Sequence, residues 1–519
     1  MKIKLIFLYL IVLLSVSCAK DEIKNDIVPP NDGNEGTSKN VLVTNSEMIL
    51  GEKLDNPYSL RNMRKALNNL LPSTRAGVEE TDIEPTHLYV KFKPKNDEEL
   101  SVLKSDSTLI LYAYPLDYDI EQYGEYHDPE VPEDQPTYQY ASVTVDKVLP
   151  QGVDYEILEE LFIPDEDKED EEDDTEEIVT RSGKTMGSFF VDQLVDQALK
   201  ITGNEEEEVI ATRGRSKWRP AGRIMMQKDN GGGYFGFEGV KVRARRWFTT
   251  HTGITDANGY YSCDGRFKRP ANYSFKWERY DFEIRNGAFK QPVADGPKQK
   301  GDWNVYLTKS LGKPYYYSII FRAAYHYYYK NIQGLRRPPQ NAVFKTQLKI
   351  RAHYKEDPDK NGQTAEWRRF LGLGSAVHIF NPSHTPMEIY ATTIHELAHT
   401  SHWNMGRFDF NRTDDKVKES WATGVQWVLT KMTYPAYKGK TKIMPKYTNV
   451  VMDLIDDQSN DGNVNGKNSK EGDKVSGYTI RQIEDKLNGA RSWNAWRDKL
   501  KQINNSTKNG IDALFKVWE

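Results

Sequence analysis

The start of the chain combines an apolar run with a long stretch that lacks one. Every residue from Leu5 to Leu14 is apolar and follows a basic start, whereas residues 19–82 contain few periodic apolar positions. A helix needs about 20 apolar residues to cross a bilayer, so this run is too short to span one. The pattern predicts an export signal in residues 1–17 and an extended tether in residues 18–82.

Alternation of apolar and polar residues then predicts a small α+β domain in residues 83–163. The clearest strand is His87–Phe92, and further strands are expected at Thr108–Tyr112 and Tyr138–Val145. A short helix is expected at Tyr155–Leu161. This stretch also resembles an N-terminal module of bacterial lipoproteins, and that resemblance implies no chemistry.

Residues 216–290 predict an all-β module. Gly239–Arg245 and Tyr273–Glu278 alternate with a period of two, and Thr255–Tyr261 supplies a turn that leads into a strand. The order of these motifs resembles the carboxypeptidase regulatory-like, or transthyretin-like, β-sandwich. The resemblance implies an accessory module and not a catalyst.

The pattern becomes α+β again in residues 300–519. An aromatic-rich helix is expected at Tyr316–Tyr329, and strands are expected at Gln347–Tyr354 and Ser375–Phe380. The sequence Thr385–Glu388 has Thr, Pro and Glu at the N-cap, N1 and N3 positions, which is a capping box. It predicts that a helix begins here.

Charge is distributed unevenly along the 519 residues, although the net charge is only −5. Residues 165–177 contain 11 acidic residues and one Lys, a net of −10, and predict an acidic linker within residues 164–215. A helix is expected after this run, at about Ser188–Ile201. Residues 301–519 contain 33 basic and 22 acidic residues, a net of +11. This excess favours an anionic substrate, and the alternative is an uneven surface charge without a function. Nothing in the charge indicates nucleic acid.

The chain has two cysteines, so a disulfide scaffold is excluded. Small residues at positions 15–17 precede Cys18, and Lys20–Glu22 follow it. This arrangement resembles the lipobox and surface-export signal of Bacteroidetes lipoproteins, with Ser15 where Leu is usual. The resemblance implies lipid on Cys18 and an outer-membrane protein that faces the cell exterior. The alternative is a plain secretory signal with an incidental Cys, and Cys263 is expected to be buried.

The helix that the capping box begins contains a His-Glu-x-x-His motif. Residues four apart share a helix face, so His395 and His399 can direct ring nitrogens at one ion. Glu396 can then reach a water bound to that ion and act as general base. Ten His residues make a chance match uncommon, and two His on a structural helix are the alternative.

A catalytic zinc site needs a third protein ligand. Glu419 is the candidate, because it lies 20 residues beyond His399 in a second helix that is expected to start near Thr413. Asp414 and Asp415 compete for this position. Both fall in the first turn of that helix, where Asp also stabilises the helix dipole.

This motif with Glu419 downstream resembles the gluzincin group of zinc metallopeptidases. The resemblance implies bound Zn²⁺, peptide hydrolysis with Glu396 as general base, and a sheet edge at Ser375–Phe380 that pairs with the substrate. Thr423 stands where many gluzincins have an Asp that orients the first His. No clear oxyanion stabiliser follows, and the candidates are His402, Tyr437 and Tyr478. The alternatives for His402 are that it contacts a metal ligand, lines the substrate pocket or lies on the surface.

A polar segment between two expected helices resembles the start of a calcium loop. Oxygen-bearing side chains fall at its positions 1, 3, 5, 7 and 9, with Gly at position 6, and Asn468 stands where a bidentate Glu is usual. The candidate Ca²⁺ ligands are Asp457, Ser459, Asp461, Asn463 and Asn465. A polar loop without an ion is the alternative.

These expectations give a multidomain chain with a small α+β domain, a transthyretin-like β-sandwich and a C-terminal α+β zincin-like metallopeptidase domain. The expected function is zinc-dependent hydrolysis of extracellular protein or glycoprotein at the bacterial surface. The alternative is a catalytically degenerate surface lipoprotein that binds glycan or glycoprotein. Missing Asp at position 423 and the many aromatic residues favour that alternative.

Overall fold

A computed structural model describes most of the chain from Glu47 to Glu519. The described residues are 47–70, 83–164, 178–179, 185–186, 188–205, 216–341, 347–364, 377–439, 445–456 and 474–519. The export signal, Cys18, the acidic run 165–177 and the predicted calcium loop lie outside the described residues. These four expectations therefore stay predictions.

The N-terminal region is built on a three-stranded antiparallel sheet. Its elements are β1 Ile49–Lys53, α1 Leu60–Leu70, β2 His87–Lys93, α2 Asp97–Ser105, β3 Tyr118–Gln122, β4 Gln139–Thr144 and β5 Asp154–Leu161. The sheet has the order β4-β2-β5, and β1 pairs with β3 beside it.

Two local predictions in this region are wrong. Residues Tyr155–Leu161 form a strand and not a helix, because they pair along the whole length of β2 as its outer neighbour. Residues Thr108–Tyr112 contribute only an isolated bridge between Tyr112 and Tyr140. The strand at Tyr138–Val145 is confirmed as β4.

Two short strands and one helix follow. They are β6 Ile178–Val179, β7 Thr185–Met186 and α3 Ser188–Ile201. The helix has the predicted bounds, and it packs on α1 because Leu194, Val195 and Ala198 share one hydrophobic cluster with Met63 and Leu67.

Two facing sheets form the middle of the chain. The strands are β8 Ala221–Gln227, β9 Tyr234–Gly236, β10 Lys241–Arg246, β11 Thr249–Ile254, β12 Tyr260–Ser262, β13 Ala271–Lys276, β14 Glu278–Arg279, β15 Phe282–Arg285, β16 Val293–Gln299 and β17 Val305–Leu307. One sheet has the order β11-β10-β13-β16, and the other has the order β12-β8-β17 with β9 beside β8. Phe275 from the first sheet and Ile224 from the second lie in one core, and Cys263 is buried there as predicted.

A third sheet carries the C-terminal region. After the 3-10 turn Lys309–Leu311 come α4 Lys313–Tyr329, β18 Leu348–Ala352, β19 Gly362–Thr364 and β20 Val377–Ile379. The sheet order is β14-β15-β18-β20-β19, with β18 parallel to β15 and β20, and β19 antiparallel to β20. The expected edge strand at Ser375–Phe380 is therefore internal, and β19 forms the edge of the part of the sheet that the structure describes. Strands β14 and β15 come from residues 216–290, so strand pairing runs across residue 290.

Helices complete the structure. They are α5 Pro386–Met405, α6 Arg407–Asn411, α7 Asp415–Thr433, α8 Val450–Ile455, α9 Ile480–Asp485, α10 Trp493–Leu500 and α11 Ile511–Val517, with a 3-10 turn at Lys508–Gly510. The chain is thus a multidomain mixed α/β protein with several small sheets and a C-terminal helical region. Within the described residues, no helix combines the length and apolarity that crossing a membrane requires.

Candidate metal centre

Helix α5 begins at the predicted capping box. The Thr385 hydroxyl accepts a hydrogen bond from the Glu388 N–H at 3.3 Å, and the Thr385 N–H donates to the Glu388 carboxylate at 2.9 Å. Pro386 occupies the first turn, where its missing N–H needs no partner. The start of the helix is therefore fixed, and the turn with His395 and His399 faces helix α7 in the core.

Three side chains from α5 and α7 converge. The Nε2 atoms of His395 and His399 lie 3.0 Å and 3.4 Å from Oε2 of Glu419. Their ligand atoms all lie within 4.8 Å of one another, and among the described residues this is the one group of three or more metal-ligating side chains so arranged. His395 and His399 are buried, and the Glu419 side chain is 21% exposed. The group can hold a metal ion.

The electrostatics of the group favour a cation. Burial raises the pKa of Glu419, but hydrogen bonds and charge from His395 and His399 outweigh it and hold that pKa far below its usual range. Glu419 is thus a carboxylate at neutral pH. Two imidazole nitrogens and a carboxylate oxygen are the donor set of many catalytic zinc sites.

A glutamine takes the place of the missing aspartate. Gln426 is buried, and its Oε1 lies 3.2 Å from Nδ1 of His395. Both ring nitrogens of His395 thus face oxygen acceptors, whereas a neutral imidazole has one N–H. If Nε2 held a metal ion, the ring proton would stay on Nδ1 and be donated to Gln426, as in sites where another residue orients a ligating His.

Thr423 does not perform this orienting role. It is buried, and within the described part of the chain its hydroxyl has no hydrogen-bond partner. Gln426 lies seven residues after Glu419, which is two helical turns and therefore the same helix face. That spacing is the sequence signal through which Gln426 could have been found.

Strand β19 covers the predicted general base. The Thr364 hydroxyl donates to Oε2 of Glu396 at 2.5 Å and also lies 3.1 Å from its backbone carbonyl. Gly362 approaches from the same strand, and a Cβ there would lie 2.6 Å from Oε1 of Glu396. Glycine at position 362 therefore leaves the space that the carboxylate occupies.

Tyr447 is a site residue that the sequence analysis missed. Its hydroxyl is hydrogen-bonded to Glu419, and its ring centroid lies 6.0 Å from that of His395. Burial and the charges of Glu419 and Glu396 raise its pKa, so the phenol keeps its proton at neutral pH. The phenol can donate a hydrogen bond next to the metal group. No motif marks Tyr447, because it lies in a loop far from α5 in sequence.

The three predicted oxyanion candidates are buried side chains, and their role stays a prediction. The buried ring of His402 packs edge-on against Phe410 at 4.9 Å, and burial lowers the pKa of His402 to about 3. Burial, with the charge of Glu388, raises the pKa of Tyr437, and Tyr478 is buried with its N–H donated to the Leu454 carbonyl. None of these three belongs to the His-His-Glu group.

The competing third ligands are also outside the group. Asp414 is the N-cap residue of α7. Asp415 is exposed and forms ion pairs with Lys446 at 2.6 Å and Lys418 at 3.3 Å. Asp415 is thus paired with two lysines, whereas Glu419 is the carboxylate that lies beside the two histidines.

Comparison of the chain with protein-family models, with curated proteins and with solved structures finds no match.

Proposed function

We propose that the protein is a zinc-dependent peptidase. The observation that carries the proposal is the convergence of His395, His399 and Glu419 next to the Glu396 carboxylate. Bound zinc supplies a polarised water and a Lewis acid for a scissile carbonyl. Glu396 would take the proton of the attacking water and deliver it to the leaving amine. Tyr447 would turn its one O–H from Glu419 to the developing oxyanion.

The edge strand supports a peptide as the substrate. Within the described residues, strand β19 pairs with β20 on one side only, and it lies against Glu396. An extended peptide can add to the free side of such a strand through main-chain hydrogen bonds, which would bring its backbone past the general base. Extracellular proteins and glycoproteins are the proposed substrate class.

Elemental analysis and peptide-library cleavage test this proposal. The wild-type chain should hold one zinc, and Glu419→Ala should lose it. Asp415→Ala is the matched control, because it removes a carboxylate one turn earlier on the same helix. Zinc loss in Asp415→Ala with retention in Glu419→Ala would contradict the assigned third ligand.

The general base requires a separate test. Glu396→Gln should keep zinc and lower kcat/KM for a library-derived peptide by about 10²–10⁴-fold, the usual contribution of a positioned acid–base group. Cleavage at the wild-type rate would disprove the mechanism.

The anchoring is also a proposal. Cys18 after small residues supports lipid attachment and an outer-membrane location that faces the exterior. Labelled palmitate should be incorporated into the wild-type chain and not into Cys18→Ser, and protease added to intact cells should reach the protein. Equal labelling of both chains would contradict the lipid site.

A degenerate, glycan-binding lipoprotein is the second candidate. The Thr364 hydroxyl on the Glu396 carboxylate favours it, because this bond competes with a metal-bound water for the same oxygen. Zinc binding without cleavage of any library peptide, both in the wild type and in Thr364→Val, would support this alternative.

A further inference from the structure

A cavity of about 340 Å³ shares no lining residue with the metal group. One wall consists of residues 100–139 of the N-terminal region, and the other consists of β10, β13 and residues 278–293. Small-molecule sites have volumes of about 300–1,000 Å³, so this cavity can hold a small ligand.

Two lysines lie side by side on the sheet wall. Val242 is opposite Phe275 in the β10–β13 register, which puts Lys241 next to Lys276 across the two strands. Val242 and Phe275 face the core, so the lysines face the cavity. Among the described residues, neither lysine forms a hydrogen bond or an ion pair.

Most other charges in this wall are compensated. Arg243 forms an ion pair with Glu278 at 2.9 Å, and Lys104 pairs with Glu283. Asp295 faces Lys276 from β16, and burial raises the pKa of its carboxyl to about 7 despite the charge of Lys276. Lys241 and Lys276 therefore leave an excess of positive charge.

Further polar atoms at the cavity lack partners. Nε of Arg279 and Oε1 of Gln347 are buried without a hydrogen-bond partner within the described part of the chain. Buried polar atoms without a partner destabilise the fold unless a bound group satisfies them. The wall of residues 100–139 adds the aromatic rings of Tyr112, Tyr114 and Tyr126.

We propose that this cavity is a binding site for a small organic anion. Its carboxylate or phosphate lies between Lys241 and Lys276, and its ring-bearing body lies against the tyrosines of the opposite wall. The site is distinct from the metal group and does not depend on the proposed peptidase activity.

Isothermal titration of the full chain with 1-naphthoate tests the proposal. The neutral isostere 1-naphthamide is the comparison, and inorganic phosphate is the charge-only probe. Naphthoate should bind at least about tenfold more tightly than either, because a charge-assisted hydrogen bond contributes about 1.5–3 kcal/mol. Equal binding of naphthoate and naphthamide, or of naphthoate and phosphate, would overturn it.

Two variants locate the anion. Lys276→Gln and Lys241→Gln should each weaken naphthoate binding about tenfold without changing naphthamide binding, while Lys300→Gln, an exposed lysine at the end of the same sheet, should have no effect. Both cavity variants should fold, since each removes a desolvated charge. Wild-type affinity in both would reject the site.

The pH dependence provides an independent readout. Burial lowers the pKa of Lys276 to about 8, with Glu278 and Glu283 opposing the shift and Arg243 and Lys104 adding to it. Lys276 is charged at pH 7 and neutral at pH 9.5. Asp295 gains negative charge as pH rises from 7, and burial also lowers the pKa of Lys241, so both add to the loss of affinity. Naphthoate affinity should therefore fall across this interval in the wild type and less steeply in Lys276→Gln. Identical profiles would contradict a contact with Lys276.

Discussion

Two clusters of buried ionisable side chains differ in how their charges are compensated. The first joins α2 to strands β15 and β18, where Arg285 contacts Asp97 at 3.0 Å and Glu283 at 2.6 Å. Lys349 lies 3.6 Å from Asp97, and Lys104 also pairs with Glu283. Each carboxylate in this cluster thus has two cations beside it at neutral pH.

The second cluster is the His-His-Glu group. Its one carboxylate, on Glu419, faces two imidazoles, which are ordinarily neutral near pH 7. The Oε1 atom of Gln426 lies next to Nδ1 of His395, where it can accept a hydrogen bond. Protonated imidazoles can supply the positive charge beside Glu419, and a bound cation would take their place.

This difference distinguishes a structural cluster from a binding site. The network around Arg285 is complete without a ligand, and it connects the N-terminal region to the sheet that carries the candidate site. The His-His-Glu group can hold a cation, and its two imidazoles are the only partners of Glu419 in it that can carry positive charge. Deep burial of charge occurs in both, so burial alone would not have told them apart.

The largest expected effect is in the network. Arg285→Met leaves Asp97 and Glu283 buried beside lysines alone, and breaking a buried pair costs about 3–5 kcal/mol. Chemical denaturation should show a loss of this size, with zinc content per folded chain unchanged. A loss below about 1 kcal/mol would mean that water reaches the cluster and that the comparison fails.

The opposite result is expected for Glu419→Gln. The free energy of unfolding without metal should change by less than in Arg285→Met, because the amide keeps hydrogen-bonding groups in front of His395, His399 and Tyr447. Zinc affinity should fall on the order of 100-fold or more. Only three side chains are proposed to bind the ion, so each of them contributes a large part of the binding energy. Competition with a chelator measures the affinity. A large loss of metal-free stability would make Glu419 a structural residue.

A smaller effect is expected for Gln426→Leu. Loss of the acceptor behind His395 should weaken zinc binding about 10–100-fold, as for other residues that orient a metal ligand. Thr423→Val is the control, since the Thr423 hydroxyl contacts nothing polar among the described residues. Equal losses in both variants would mean that packing, and not the hydrogen bond to His395, is responsible.

The sequence predicted the local parts of the site and missed the distant ones. His395, Glu396 and His399 share one helix, and the capping box fixed its start, so helical periodicity was sufficient. Tyr447 reaches the group from a loop, and no period connects a loop to a helix. The strand at Tyr155–Leu161 was misread because pairing with β2 overrides its local helix preference.

The network shows the same limit more strongly. Asp97 and Arg285 are 188 residues apart, and no spacing rule operates over that distance. Arg285 lies in an alternating strand, where a charged residue ordinarily indicates a face turned to solvent. Only the docking of α2 against β15 turns that face into an interior, so the sequence alone could not identify the closed cluster.

Mild acid should affect the two clusters differently, because the groups that titrate in them have different pKa values. Burial opposes ionisation of Glu283, but Arg285, Lys104 and Lys349 outweigh it and lower its pKa below the ordinary value of 4.5. A carboxyl with a lowered folded-state pKa stabilises the fold above its unfolded pKa and loses that contribution only as pH falls further. Imidazole ligands, in contrast, must lose their protons to bind a metal, and their ordinary pKa is about 6.5.

Between pH 7.5 and 5.5, zinc affinity should therefore fall by about tenfold or more, since protons compete for His395 and His399. The contribution of Glu283 to the free energy of unfolding, taken as the difference between the metal-free wild type and Glu283→Gln, should change little over the same interval, because Glu283 stays ionised. This difference removes the contribution of His402, whose pKa is lowered by burial in both chains. Chelator competition and denaturation at the two pH values measure the two quantities. A fall of this difference in parallel with zinc affinity would mean that Glu283 takes up a proton near neutral pH, and the contrast between a closed and an open cluster would be lost.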